Sequence, residues 1–326
     1  MTKFIRRLQK IGSSILVSIP KEWIDANNLE KGSQVEIETG PDSVSISANK
    51  ETRPTKELII SYPLPKDENI VANITGAYLL GYDIIQINSK SIIPGEDREK
   101  IRISMRGLVG MEIIEEDASK INMQFLLDTT TLNPEKILKR MSSIALGMYD
   151  DVSNGLISDD KSNLQTISKR DVEVNRQYFL LVRLIRSTLV DKRLANVFNL
   201  ENIDILDYRI AANLLENAGD TIAELANFIY ESSLSKEFLK KLFVDVQNFS
   251  GLAEKSINAF TKSDRKLAIE AIKSHKEFQE KLSKLRITMG NKKQIPIDFL
   301  DLVYMFERIS KSWADVVDLI KPIYDE

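Results

Sequence analysis

The chain contains no cysteine and only one histidine, His275, in 326 residues. Without thiols the protein can form neither disulfide bonds nor thiolate metal sites, and it has no cysteine nucleophile. A single imidazole also excludes most mechanisms that rely on histidine as acid or base. Any metal site or proton transfer must therefore depend on carboxylates, and the chain has 48 Asp and Glu residues.

Long hydrophobic runs are missing as well. The N-terminal sequence MTKFIRRLQ lacks the apolar centre of a signal peptide, and no uninterrupted apolar segment approaches the roughly 20 residues that span a bilayer. We therefore expect a cytoplasmic protein without a membrane-inserted segment. At 326 residues the chain is too long for one core, and a usual domain size of about 100–150 residues predicts two or three domains.

Acidic residues are absent from the N-terminal end. The first 21 residues contain five cations, which are Lys3, Arg6, Arg7, Lys10 and Lys21. The whole chain has 45 Lys and Arg against 48 Asp and Glu, so the part outside this basic tip is clearly acidic. This segregation of charge indicates that the tip has a function of its own.

Residues 1–50 alternate apolar and polar side chains in the manner of half-buried strands. The alternation covers residues 15–19, 34–39 and 43–48. Gly40, Pro41 and Asp42 predict a hairpin turn between the last two strands, and a short helix is predicted at residues 21–28. The pattern predicts a small, strand-rich domain.

A domain of about 50 residues buries too little apolar surface to be stable alone. We therefore expect a homodimer, in which two copies of Arg6, Arg7 and Lys10 lie side by side and bind the phosphates of double-stranded DNA. The alternative is a basic edge strand that the charges only keep soluble. Spacing, turn residues and charge segregation together favour contact with DNA.

The segment RRLQKIGSSILVSIPKEWIDANNLEKGSQVEIE resembles the swapped-hairpin DNA-binding domain of the AbrB, SpoVT and MazE group. The matching residues are Gly12, Ser14, Val17, Ile19, Pro20, Lys21, Leu29, Gly32 and Val35. The resemblance implies an all-β domain in which two chains interleave their hairpins into one barrel. It also implies that the basic residues of the first strand region contact DNA.

Residues 54–133 alternate strand and helix patterns, which predict a small α/β connector domain. We expect strands at residues 57–62, 83–88 and 111–116, with helices at residues 67–80 and 96–108 between them.

On the second of these helices, Arg98, Arg102 and Arg106 share one face because they are four residues apart. This face could extend the DNA surface or receive an anionic partner. The acidic residues beside it favour a solvated, ion-paired face instead.

From residue 134 to residue 326 the apolar residues recur at spacings of three and four, which predicts helices. The segment KILKRMSSIALGMYDDVSNGLISDDKSNLQTI corresponds to EFLKKLFVDVQNFSGLAEKSINAFTKSDRKLAIEAI roughly 100 residues later. We therefore predict an all-α bundle of two three-helix repeats, at about 134–232 and 235–326.

Within LLENAGDTIAELA, Glu216 and Asp220 are four residues apart and lie on one helix face. Like charges at this spacing repel by a few tenths of a kcal/mol on an exposed helix. A hard cation held by carboxylate oxygens would offset the repulsion. Acidic pairs at this spacing also occur on many solvated helix faces, so the pair by itself does not identify a metal site.

The motif ENAGDTIAELA resembles the Glu-x-x-x-Asp signature of the PhoU family, whose usual form is close to ERIGDHATNIAE. The resemblance implies two three-helix repeats that bind iron, zinc or related cations. It also implies regulation of phosphate uptake with the phosphate transporter and a sensor kinase. On this basis Asp171 would join Glu216 and Asp220 in holding a divalent or iron cation. The second copy has Lys311 at the aspartate position, so we expect an ion pair with Glu307 there instead of a metal site.

The whole chain resembles the archaeal phosphate uptake regulators of the PhoU family, and we predict a DNA-binding regulator of phosphate uptake rather than an enzyme. The alternative is an adaptor that docks on the phosphate transporter ATPase or a sensor kinase and uses its N-terminal domain only to dimerise. A carboxylate–metal hydrolase is the weakest hypothesis, because the sequence has neither a Gly-rich phosphate loop nor a nucleophile beside a plausible base.

Overall fold

The computed structural model describes residues 3–40, 42–48, 55–158, 160–232, 234–290 and 296–320. The chain divides into two compact units, Met1–Pro54 and Thr55–Glu326. The predicted further boundary between residues 133 and 134 stays a prediction.

The N-terminal unit consists of two hairpins and one short helix. Strands β1 (Gln9–Ile11) and β2 (Ser14–Leu16) pair antiparallel, then helix α1 (Lys21–Ala26) leads to the antiparallel pair β3 (Val35–Thr39) and β4 (Val44–Ala48). Gly12 has a φ of +61° in the first turn, a left-handed conformation that costs glycine no side-chain clash. Pro41 of the predicted second turn lies outside the described residues.

None of the described side chains of this unit is buried. Ile5 is 94% exposed, and further large apolar side chains are exposed as well: Phe4, Leu8, Ile11, Ile15, Leu16, Val17, Ile37 and Val44. One copy of the unit therefore has no hydrophobic core of its own, although it carries enough apolar side chains to build one with a partner.

The second unit begins with a four-stranded mixed sheet. Its strands are β5 (Glu57–Tyr62), β6 (Ile84–Ser89), β7 (Met111–Glu116) and β8 (Lys120–Phe125), in the order β5-β6-β8-β7. Strand β5 is parallel to β6, and the other pairs are antiparallel. Helix α2 (Ile70–Leu79) connects β5 to β6, and α3 (Gly95–Met105) lies between β6 and β7 in the chain.

Helix α3 ends at Met105, three residues before the predicted end at residue 108, and two further details of this region differ from the prediction. Strand β8 was not predicted, although Ile121, Met123 and Phe125 alternate as buried residues within it. Helix α2 begins three residues later than predicted, because the side chain of Asn69 caps it and accepts a hydrogen bond of 2.8 Å from the Val71 amide.

The remainder of the second unit is helical. The first repeat contains α4 (Pro134–Gly155), α5 (Ile167–Val190), a short α6 (Lys192–Val197) and α7 (Asn202–Glu231). The second repeat contains α8 (Lys236–Val246), α9 (Ser250–Lys262), α10 (Arg265–Gly290) and α11 (Ile297–Val317). The expectation of three helices in each repeat is correct for the long elements. The first helix of the second repeat is interrupted near the buried Phe249, which separates α8 from α9.

The two repeats share one core. Trp313 of the second repeat is completely buried, and its indole N–H donates a 3.1 Å hydrogen bond to the Ser142 hydroxyl of the first repeat. The Tyr149 hydroxyl of the first repeat donates in return to the Val246 carbonyl at 3.0 Å. Within the described residues, none of the helices has the length and apolar character needed to cross a membrane.

Candidate functional site

The structure leaves the predicted DNA-contact residues accessible. All five are exposed and none takes part in an ion pair within the described residues: Lys3, Arg6, Arg7, Lys10 and Lys21. The Arg6 guanidinium carbon lies 5.5 Å from the centroid of the Phe4 ring, so this cation contacts an aromatic face.

Two of these cations lie on regular elements. Lys10 is in β1, opposite Ile15 of β2, and Lys21 is the first residue of α1. Arg6 and Arg7 immediately precede β1. The cations are therefore available to an external anion, whereas DNA contact itself stays a prediction.

The predicted carboxylate cluster lies where α5 packs on α7. Asp171 is on α5, and Glu216 and Asp220 are on α7. A Cβ added at Gly219 would lie 3.0 Å from the Asp171 Oδ1 and 3.2 Å from the Val174 Cγ1, so the glycine allows the close approach of the two helices. The packing buries Asp171 Oδ1 without a hydrogen-bond partner, while Oδ2 accepts a 3.1 Å bond from the Asn175 side chain.

These carboxyl groups are close enough to affect one another's pKa. Burial and then the nearby Asp220 raise the pKa of Asp171 to about 6, although the Asn175 hydrogen bond acts in the opposite direction. Burial, Asp220 and Asp171 also raise the pKa of Glu216, against the effect of Arg209. Burial raises the pKa of Asp220. All three groups therefore hold a proton more strongly than they would in water.

The residues at this face do not assemble a recognisable metal-ligand set. Across the described ranges, no group of three or more His, Cys, Asp or Glu side chains is arranged to hold a metal ion. The divalent or iron cation expected at Asp171, Glu216 and Asp220 therefore stays a prediction. Protonation of Asp171 is a second way to relieve the repulsion.

Replacing Asp171 by asparagine distinguishes these two states. The raised pKa means that the folded state binds the proton more tightly than the unfolded state, so ionisation costs stability as the pH rises from about 4 through 6. Because the group is only half-buried, we expect Asp171→Asn to be more stable than the parent by about 1 kcal/mol at pH 8 and equally stable below pH 4. Urea unfolding at a series of pH values measures the difference.

The matched control is Asp301→Asn, which changes an exposed carboxyl on α11. We expect it to leave the pH dependence unaltered. A destabilised Asp171→Asn protein at pH 8 would contradict the expectation and would show that the ionised carboxylate has a stabilising partner, such as a bound cation.

In the second repeat the expected Lys311–Glu307 ion pair is wrong. Lys311 pairs with Asp315 at 2.7 Å, and Glu307 pairs with Arg286 of α10 at 2.7 Å. Lys311 has one acidic residue four positions before it, Glu307, and another four positions after it, Asp315. Because Arg286 of α10 already pairs with Glu307, Lys311 pairs with Asp315. The corresponding face of this repeat is therefore ion-paired.

The arginine stripe on α3 is ion-paired at two of its three positions. The Arg98 Nε donates to Glu116 of β7 at 2.9 Å, and Arg102 Nη2 contacts both Glu116 carboxylate oxygens at 2.9 and 3.1 Å. Burial raises the pKa of Glu116, but the bonds to Arg98 and Arg102 lower it further and hold it below its usual range. Arg106 forms no ion pair in the described part of the chain.

Arg183, which connects α5 to the sheet region, was not predicted from the sequence. Its Nη1 donates 2.8 Å hydrogen bonds to the carbonyls of Tyr78 and Tyr82, and its Nη2 lies 3.2 Å from the Asp83 carboxylate. The guanidinium carbon is 3.9 Å from the centroid of the Phe125 ring. An arginine within the apolar run FLLVRLI was the signal that could have identified it.

Comparisons with known proteins give two matches to family models. Residues 8–50 match the model described as antidote-toxin recognition MazE, bacterial antitoxin, and residues 138–229 match the PhoU domain. A search of curated proteins gave no significant match.

Solved structures give weaker similarities. The phosphate transport system regulatory protein PhoU from Streptococcus pneumoniae is 18% identical with a TM-score of 0.46, over 57% of this chain and 91% of that protein. PhoU from Pseudomonas aeruginosa is also 18% identical with a TM-score of 0.46, over 57% of this chain and 93% of that protein.

Proposed function

We propose that this chain, which carries a MazE-like N-terminal segment and a PhoU domain, is a homodimeric DNA-binding regulator of phosphate uptake. The observation that carries the proposal is the state of the basic tip: its five cations are exposed and without acidic partners in the described residues. Elsewhere in the chain many cations are paired, as Arg98 and Arg102 are with Glu116. Unpaired cations on a small strand-rich domain suit the phosphates of a duplex.

The exposed apolar side chains of the N-terminal unit support the dimer. No described side chain of this unit is buried, so one copy as described lacks the buried apolar surface that stabilises a small domain. A second copy that interleaves its hairpins with the first would cover residues such as Ile5, Leu8 and Ile37. The same arrangement would present two basic tips to one duplex.

The match to the PhoU domain supports a role in the regulation of phosphate transport. In the proposed regulator the helical part receives the signal in the cytoplasm, and the basic tips respond. Such a signal changes DNA binding only if its ligand or partner has different affinities for the two arrangements of the dimer. Within the second unit, Arg183 ties α5 of the PhoU domain to α2 and to the loop before β6, which gives a change in α5 a route to the preceding residues.

The second candidate function is an adaptor that docks on the phosphate transporter ATPase or a sensor kinase. The exposed apolar side chains of the N-terminal unit support the adaptor as well as they support the regulator, because both functions use a dimer. Docking on a protein partner does not require five unpaired cations in 21 residues. The charge therefore favours the regulator.

A genome-wide binding map separates these functions. We expect the full chain, tagged and cross-linked in cells, to be enriched at promoters of phosphate uptake genes, and the enrichment to change when phosphate is withdrawn. The Arg6→Ala, Arg7→Ala, Lys10→Ala variant serves as the negative control. Absence of enriched sites, together with recovery of the transporter ATPase with the parent protein, would identify the adaptor instead.

A further inference from the structure

A basic cavity of about 290 Å³ lies in the second unit, beside the end of α3. Its wall includes Arg102 and Arg106, the turn and first residues of β7 at residues 108–113, and Arg176 of α5. The volume is near the lower limit of the roughly 300–1,000 Å³ found for small-molecule sites. The cavity is therefore suited to a small ligand and brings together groups from the α/β part and from the PhoU domain.

Arg176 has one edge of its guanidinium without a partner. Its Nη1 donates to the Glu173 carboxylate at 2.8 Å, whereas its Nε is buried and makes no hydrogen bond within the described residues. Its Nη2 likewise has no acceptor within the described residues but is not enclosed, so Nη2–H is the donor that a ligand in the cavity can reach. On Arg98 the same two nitrogens both bind Glu116. No acceptor in the described chain fills the corresponding edge of Arg176.

The other arginines on the wall differ in how far they are neutralised. Arg102 already shares the carboxylate of Glu116. Arg106, one turn later on the same face, is exposed and without an ion pair in the described chain. Arg106 and the Nη2 atom of Arg176 are thus the two donors that remain for an incoming anion.

We propose that this cavity binds a small phosphate-type oxyanion, held by the Nη2 atom of Arg176 and by the guanidinium of Arg106. Two guanidinium groups on one cavity wall match a tetrahedral oxyanion, because together they supply several N–H donors and two positive charges. The site goes beyond the proposed function and does not depend on DNA contact, so it is tested without DNA.

Glu112 is the acidic residue on the wall, and it gives the site selectivity among oxyanions. Near neutral pH inorganic phosphate retains a proton, which its hydroxyl can donate to a carboxylate. Sulfate has no proton to donate, so the Glu112 carboxylate repels it without compensation. We therefore expect phosphate to bind more tightly than sulfate.

Calorimetric titration of the full chain tests the site. We expect inorganic phosphate to bind, and Arg176→Gln and Arg106→Gln each to weaken the binding by about tenfold. Arg265→Gln, an exposed arginine at the start of α10, serves as the control and leaves the affinity unchanged. Binding of glycerol phosphate without inorganic phosphate would identify an organic ester as the source of the same phosphate chemistry and would support the site.

The proposal would be overturned if neither phosphate nor its ester bound to the protein, or if Arg106→Gln left the affinity unchanged. Because Arg106 is exposed and unpaired, its substitution leaves the fold intact, so the test does not depend on the more buried Arg176.

Glu112→Gln tests the selectivity separately. We expect this substitution to strengthen sulfate binding more than phosphate binding, so that the preference for phosphate shrinks. Equal affinities of the parent protein for sulfate and phosphate would overturn the assignment to phosphate.

Discussion

Replacement of Arg183 by methionine should lower the free energy of unfolding of the second unit by about 3 kcal/mol. The Arg183 side chain is only 4% exposed, and it pairs with Asp83 while donating to two carbonyl groups. Methionine preserves most of the apolar contact with Phe125 but supplies no donor. The buried Tyr78 carbonyl would then lose a charged partner, and so would the Tyr82 carbonyl and the partly exposed Asp83 carboxylate.

Urea unfolding followed by tryptophan fluorescence measures this effect. The matched control is Lys169→Met on the same helix, which removes an exposed cation and should change stability by less than about 0.5 kcal/mol. Equal stabilities of the two variants would show that Arg183 does not hold α5 to the sheet. A selective loss in Arg183→Met would instead identify it as the main polar connection between these parts.

The elements of the fold follow from local patterns where these patterns are undisturbed. Alternation predicted β3, β4 and β5, and the match of residues 8–50 to the MazE model and of residues 138–229 to the PhoU domain confirms both resemblances. Strand β8 was missed although its alternation is regular. It follows β7 after a tight turn in which the Asp117 side chain accepts hydrogen bonds from the amides of Ser119 and Lys120 at 2.7 and 2.8 Å, and this turn leaves no loop to mark the boundary.

Functional residues were also predictable only where the local sequence identifies them. The basic tip was predictable because charge segregation is visible in the sequence itself. Arg183 and Tyr78 are 105 residues apart in the chain, so their contact depends on how α5 packs on the sheet region. The unpaired nitrogens of Arg176 could not be predicted from the sequence either, because only the packed structure shows that its Nε lacks a hydrogen-bond acceptor. For Lys311 the local spacing predicted an ion pair with Glu307. The prediction was wrong because Arg286 of α10 pairs with that glutamate.

Replacement of Arg6, Arg7 and Lys10 by alanine should weaken duplex binding by at least about a hundredfold at low salt. Each cation that neutralises a phosphate releases counterions, and the salt dependence changes by about 0.9 per phosphate on a logarithmic scale. A dimer loses three cations from each copy, so the slope should become shallower by about 5 if all of them contact phosphates. The three residues are exposed and unpaired within the described chain, so their removal should not affect folding.

The matched control variant is Lys262→Ala, Lys266→Ala, Lys284→Ala. These lysines are exposed on α9 and α10, and their removal changes the net charge by the same amount. We expect the control to bind duplex DNA within about threefold of the parent, because long-range attraction from the second unit is screened over roughly 8 Å at physiological salt.

Titration of a mixed-sequence duplex with the full-length parent and these two variants across a salt series shows whether the basic tip binds DNA. If it does, the parent and the control have a steep salt slope, and the Arg6→Ala, Arg7→Ala, Lys10→Ala variant gives a weak, shallow response. Equal affinity of all three proteins at every salt concentration would contradict DNA binding by the basic tip.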